Sequence, residues 1–526
     1  MRRRAFLTSG ATLLPAPAFA QSGRGGTLRM IPQVNLTVLD PILSTAGSTL
    51  NHGYAVFDTL YGTDENFVPR PQMAEGHTVS DDGLVWLIRL RDGLRFHDGE
   101  RVRAQDCAAS LARWARRDTF GQTLGAAVEA FEAADDRTVR IRLNRRFPQL
   151  LVALGYIGPI PAFIMPERLA RTDPFTAVPE IVGSGPYRFL PGDYVSNSRV
   201  AYAKFGGYVP RQEAPSLSAG GKVAHFDRIE WHVIPDSSTA SAALQSGSVD
   251  WWEYVDSDLA PVLARRRDIR LQPYDPLGFI SYLRFNTLYP PFDNPRLRRI
   301  VLEAVNQADY MTVISGGDPQ FWRPCYSMFP MGLPQARDTV GAPIMGGPKN
   351  LDSLKRRVEE AGYRGERVVV MNPSDFALLS PNGPITAEML RRIGFNVDLQ
   401  TMDWGTVLQR RGSREPLDRG GWSIFHTLWK SRSMANPALN SMIRGQGRTG
   451  FFGWYESAAI EQLTQEWLQA GDEAAQQALV DRIQAIAFED APSVPLGIFM
   501  PKTAYRSDIS GIVPGPSAFP WSVRRG

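Results

Sequence analysis

Residues 367–427 alternate between two hydrophobic periods, and the order of that alternation is the strongest constraint on the fold. RVVVM at 367–371 is a continuous β-branched run, ITAEMLRRI at 385–393 has helical spacing closed by Gly394, and FNVDLQ at 395–400 is again a strand. A helical WGTVLQRR and a strand-like GWSIFHT at 421–427 complete the series. Parallel strands need long crossovers, and those crossovers are right-handed, so this order demands an α/β fold with a parallel sheet. At 526 residues the chain exceeds what one core supports, and at least two lobes are expected.

The stretch GWSIFHTLWK places Trp422, Phe425, His426 and Trp429 close together. Ligands of open α/β sheets gather beyond the carboxyl ends of the strands. Trp404, just past strand 395–400, and Trp429, just past GWSIFHT, are therefore expected at a cleft. Within the strand Trp422, Ile424 and His426 share one face and Ser423, Phe425 and Thr427 the other, so one set must be ordinary packing.

The rest of the chain reads differently. SDDGLVWLIRLRDGLRFHDG (80–99) is antiparallel hairpin material, with Leu84, Trp86, Ile88 and Leu90 on one face. It runs into a helix carrying Cys107, Leu111 and Trp114, then a strand at 138–145. Gly183 and Gly185 in VGSGPYRF predict a tight backbone crossing. A strand at 225–235 precedes a helix capped by Asp236 and ended by Gly247. Asn294-Pro295 opens a helix whose stripe runs from Leu297 to Ala308, and LDSLKRRVEEAGYRG is a helix stopped by Gly362. One long helix is expected over roughly 456–489, before an apolar VPLGIF.

The first twenty residues have a basic start, a short apolar middle and Ala18-Phe19-Ala20 as a cleavage site, with Arg3-Arg4-Ala5-Phe6-Leu7 fitting a twin-arginine core. An exported, periplasmic protein is expected. Arg2, Arg3 and Arg4 account for three of the formal +4 charges, leaving +1 on the mature chain and no case for nucleic acid. Cys107 reads as a buried thiol, while Cys325 is left open.

Several stretches, in order across nearly the whole mature chain, resemble one family. They are PQMAEGHTVSDDGLVWLIRLRDGLRFHDGERVRAQD, VGSGPYRF, DSSTASAALQSGSVD, YLRFNTLYPPFDNPRLRRIVLEAVNQ, EEAGYRG, IGFNVDLQTMDW and DAPSVPLGIF. The family is the family 5 extracellular solute-binding proteins, the peptide, nickel and glutathione binders of ABC importers. The resemblance implies a large, type II-like periplasmic binding protein fold with discontinuous lobes joined by a two-segment hinge. Lobe I would comprise 21–274 plus 491–526, with an inserted subdomain at about 56–179, and lobe II 275–490. The ligand would lie between the lobes and be enclosed when the hinge shuts.

The resemblance also assigns residues. Trp404, Trp422, Arg411 and Arg419 match ligand-contacting positions of the oligopeptide binders, and Thr45 in LDPILSTAGST is the expected contribution of lobe I. Where those binders hold an aspartate for the peptide amino group this chain has Phe425, so an aromatic and cationic pocket for a flat or sugar-like ligand with a carboxylate is expected instead. A histidine coordinates the metal chelate in nickel-binding relatives, which makes His426 a candidate for that role, but a lone histidine in an aromatic strand is ordinarily packed and hydrogen-bonded; no metal or cofactor is expected. No H-E-x-x-H, G-x-S-x-G or Walker A loop occurs, so an exported hydrolase is the weaker alternative to a receptor working as a monomer with permease subunits of the inner membrane.

Overall fold

The computed structural model describes residues 26–526 except 375 and 377; the export signal expected over 1–20 lies outside the described residues. Three larger sheets organise them. The first is seven-stranded, in the order Tyr187–Phe189, Arg199–Lys204, Arg228–His232, Thr27–Ile31, Trp251–Val255, Lys502–Arg506, Ile269–Pro273. Its central strand Thr27–Ile31 is parallel to both neighbours. The second is six-stranded: Trp322–Arg323, Ser493–Phe499, Phe279–Phe285, Ile424–Lys430, Arg367–Pro373, Asn396–Met402. The strand Arg367–Pro373 runs parallel to Asn396–Met402 and to Ile424–Lys430, which is the geometry the alternating pattern demands.

The third sheet is four-stranded and antiparallel, built from Ala74–Val79, Val85–Leu90, Thr138–Leu143 and Val128–Asp135. Ile88, Leu90, Val139 and Ile141 are buried in the same cluster as Cys107, Leu111 and Trp114 of the helix Ala104–Trp114. This unit is fastened to the first sheet's lobe by a close backbone crossing. Gly185 N donates to Val56 O at 2.8 Å, and a Cβ on Gly183 would lie 2.0 Å from that oxygen. Only glycine fits there.

The chain passes from the first lobe to the second at 274–278 and returns at Met500-Pro501. The two crossings lie side by side, with Tyr274 N donating to Pro501 O at 2.8 Å. The expected boundary at 490/491 is too early, because Ser493–Phe499 is hydrogen-bonded to Phe279–Phe285 inside the second sheet. The tail beyond it closes the first lobe: Ser517 Oγ and Ala518 N donate to Asn51 Oδ1 at 2.6 and 2.9 Å, and Phe519 and Trp521 pack against Tyr54.

Three local expectations are corrected. The single helix over 456–489 is two, Ala458–Gln469 and Glu473–Asp490, with Asp472 capping the second through Ala475 N at 2.8 Å. The stripe through Ala308 is broken at Val305, where backbone at ψ 123 ends Pro295–Ala304 before Gln307–Ser315 begins. The strand read at 421–427 is Ile424–Lys430, which moves Trp422 ahead of it and Trp429 into it.

Candidate functional site

That three-residue shift decides what each aromatic does. Ile424 and His426 project toward the helical layer, where His426 Nε2 meets Thr386 Oγ1 at 2.8 Å and Thr386 in turn meets the Tyr310 hydroxyl at 3.0 Å. Burial pushes the His426 imidazole down to about 3, so it is a neutral, packed group. On the other side Phe425 is fully buried with Val369, Met371 and Trp454. Trp422, only 1% exposed, stands outside the strand's alternation and folds onto the same cluster, its ring edge-to-face with Phe425 at 5.0 Å. Trp422, Phe425 and His426, expected to line a pocket, are therefore core.

The remaining predicted residues of this region stand apart. Trp404 begins the helix Trp404–Arg410, half-buried, with its ring 5.2 Å from Phe376. Arg411 lies over the ring of Phe452 at 4.6 Å, and desolvation lowers its pKa. Arg419 is on the surface, paired with Glu415 at 3.1 Å. None of Trp404, Arg411, Arg419, Trp422, Phe425 and His426 lines the cavities described next.

Two cavities lie between the antiparallel unit and the second lobe, and Tyr156 belongs to the wall of both. The smaller, about 150 Å³, is walled by Thr45, Asp118, Tyr156 and Ile160 on one side and by Trp429 and Ser433 on the other. Here Thr45 and Trp429, expected from sequence on opposite lobes, are brought together. The larger, about 500 Å³, sets Phe67, Gln149 and Tyr156 against Arg432, Asn436 and Trp467. The Tyr156 hydroxyl reaches across with a long hydrogen bond, donating to Ser433 O at 3.5 Å.

Two charged groups dominate the local electrostatics. Asp118, 4% exposed, caps the helix Thr119–Gly125 by accepting from Phe120 N at 2.8 Å and Gly121 N at 2.9 Å, while burial pushes its carboxyl up to about 6. Arg432, 8% exposed, lies over the Phe67 ring at 4.9 Å. Its Nε and Nη1 make no hydrogen bond, and the nearest carboxylate oxygen, on Asp275, is 3.7 Å away. Tyr156, Asp118, Phe67 and Arg432 escaped the sequence reading. Only Arg432 had a signal, since it follows the carboxyl end of Ile424–Lys430 just as a ligand-facing residue should.

Comparison with known proteins adds the context. The pattern described as bacterial extracellular solute-binding proteins, family 5 Middle, matches residues 68–451. A probable peptide ABC transporter periplasmic-binding protein of Sinorhizobium fredii is 34% identical over 99% of this chain and 98% of its own. Among solved structures, the periplasmic binding protein DppA of Helicobacter pylori in complex with the peptide STSA superposes with a TM-score of 0.77 at 23% identity, covering 95% of this chain and 98% of its own. AgaA of A. tumefaciens R10, in complex with agropinic acid, gives 0.77 at 22% identity over 95% of this chain and 99% of its own. The two-lobed periplasmic binding protein fold is thus shared along the chain, with discontinuous lobes joined by two crossing segments. This protein belongs to the bacterial extracellular solute-binding proteins of family 5.

Proposed function

We propose that the protein captures a small peptide-like or carboxylate-bearing solute in the space around Tyr156 and delivers it, unaltered, to permease subunits of an ABC importer. The observation that carries this is the pair of cavities walled from both lobes and meeting at one tyrosine. A solute seated there touches both halves at once, and such contacts are what give a ligand higher affinity for the shut state than for the open one. Thr45 and Trp429 contribute from the smaller cavity, Phe67, Arg432 and Trp467 from the larger. The hinge is the pair of crossings at 274–278 and 500–501. A twin-arginine signal cleaved near Ala20 carries the folded chain to the periplasm, where it acts as a monomer.

The two solved complexes named above, one with the peptide STSA and one with agropinic acid, support a small-solute receptor without choosing between a peptide and another acid. Thermal-shift screening against peptides, sugar acids, neutral oligosaccharides and metal chelates tests the proposal. A bound solute raises the melting temperature in proportion to the logarithm of its excess and is recovered intact. Turnover of the stabilising compound, or no stabilisation by any class, refutes the receptor assignment.

A further inference from the structure

The larger cavity contains a cation that the fold buries and leaves without full partners. Arg432 is 8% exposed, yet Nε and Nη1 have no acceptor and the Asp275 oxygen at 3.7 Å is beyond hydrogen-bond range. Burying a guanidinium this way is costly, because water is removed and, although the Asp275 carboxylate offsets part of the charge, nothing replaces the hydrogen bonds of Nε and Nη1. Structural arginines in the same protein are treated differently. Arg113 is deeper still but donates to both carboxylate oxygens of Asp40, and Arg284 donates to the carbonyls of Phe452, Met442 and Pro492. Arg432 is thus a buried arginine set at a cavity wall rather than within packing.

The opposite wall is built to hold that guanidinium still. Phe67 has φ 65, the left-handed region that a residue with a side chain rarely occupies, and the turn is held there by Asp64, whose Oδ1 accepts from Asn66 N and Val68 N at 2.9 Å. The strained backbone presents the ring to Arg432 at 4.9 Å, where the π face fixes the cation without occupying its hydrogen-bonding edge. Besides Arg432, the charged residues of the wall are Arg337 and Glu473, both exposed.

We propose that Arg432 is the anchor for a carboxylate, so that the solute carries a planar anionic head against this guanidinium and an apolar or aromatic body along Phe67, Tyr156 and Trp467. The inference rests on the receptor assignment above and narrows it. A guanidinium edge donates two parallel hydrogen bonds to the oxygens of a carboxylate, which neither a carboxamide nor a hydroxyl accepts in the same way. A free ammonium at the same place is repelled, so a solute with an amino group must place that group elsewhere.

The test uses 3-phenylpropionate and 3-phenylpropionamide as minimal probes, by calorimetry and thermal shift on the full mature protein. The acid is expected to bind at least about tenfold more tightly than the amide, and Arg432→Gln to abolish that preference while Arg432→Lys keeps part of it. N-acetyl-Phe-Leu with a free carboxylate, its C-terminal amide, and gluconate then separate a peptide end from a sugar acid as the source of the head. Equal binding of acid and amide to the wild type, which needs no variant, overturns the proposal, as does an undiminished preference in Arg432→Gln. If neutral oligosaccharides bind and no acid does, the anchor is refuted and the receptor stands; if nothing in either panel binds, both fall.

Discussion

Asp118 offers a measurement that depends on nothing but burial and charge. Its carboxyl, pushed up from 3.8 to about 6, binds a proton more readily folded than unfolded. The sign follows from linkage: between those two values the native state holds more protons, so stability from this group is fully present below about pH 4 and is lost as the pH rises through about 6. The full loss corresponds to about 3 kcal/mol at 1.36 kcal/mol per unit. Asp118→Asn keeps a side-chain oxygen for Phe120 N and Gly121 N and removes the charge. The variant is therefore expected to be more stable than wild type at pH 7.5, by up to about 3 kcal/mol, and the gap should narrow by about 1.4 kcal/mol at pH 5.0, where wild type has recovered that much. Urea unfolding of both proteins at the two pH values, followed by tryptophan fluorescence, measures the gap. A variant less stable than wild type at pH 7.5, or a gap independent of pH, refutes the picture of a carboxylate held charged against its surroundings.

Other expectations follow from particular contacts. Trp422→Ala empties a sealed core site and should cost about 3–5 kcal/mol of stability, whereas Trp429→Ala, at a cavity wall, should cost less and weaken solute binding; denaturation and titration of both variants separate core from pocket. Gly183→Ala drives a methyl group onto the Val56 carbonyl and should lower stability by about 1–3 kcal/mol, read as a fall in melting temperature. Lys222 Nζ lies 2.7 Å from Asp58 Oδ1 with both side chains buried, so Lys222→Met leaves an uncompensated charge and should cost about 3–5 kcal/mol in the same assay.

The fold was legible wherever local chemistry and global position agree. The alternation over 367–427 predicted the parallel pairs on either side of Arg367–Pro373, and Asp236 and Gly247 marked both ends of Ser237–Ser246, where Asp236 accepts from Thr239 N and Gly247 adopts φ 77. The break between Ala458–Gln469 and Glu473–Asp490 was also written in the chain, as Gly471 followed by the capping Asp472, but helical periodicity on both sides masked it. The site was far less legible. A strand buried on both faces has no polar alternation to fix its register, so Ile424–Lys430 could not be told from 421–427, and Trp422 is expected at the cleft together with Trp429 although only Trp429 lines a cavity. Trp429 and Arg432 have the same spacing as Trp422 and Phe425, which makes the slip easy. Phe67, Asp118 and Tyr156 come from a unit far away in sequence, and no local pattern says that they will meet the end of that strand.

The route of the chain also has a consequence for biogenesis. Asn51, Tyr54 and the strand Trp251–Val255 precede the second lobe in the chain, yet the groups that complete their surroundings, Lys502–Arg506, Ser517, Phe519 and Trp521, are translated only after it. While the carboxyl-terminal segment is still inside the ribosome, the sheet around Thr27–Ile31 lacks a strand and its core lacks the rings of Tyr505, Phe519 and Trp521. The six-stranded sheet, needing only residues up to Phe499, is sealed a moment earlier. The half that begins first is thus finished after the other, and a stop codon placed just after Phe499 would leave a distal half with its sheet complete, tethered to an amino-terminal half with an open seam.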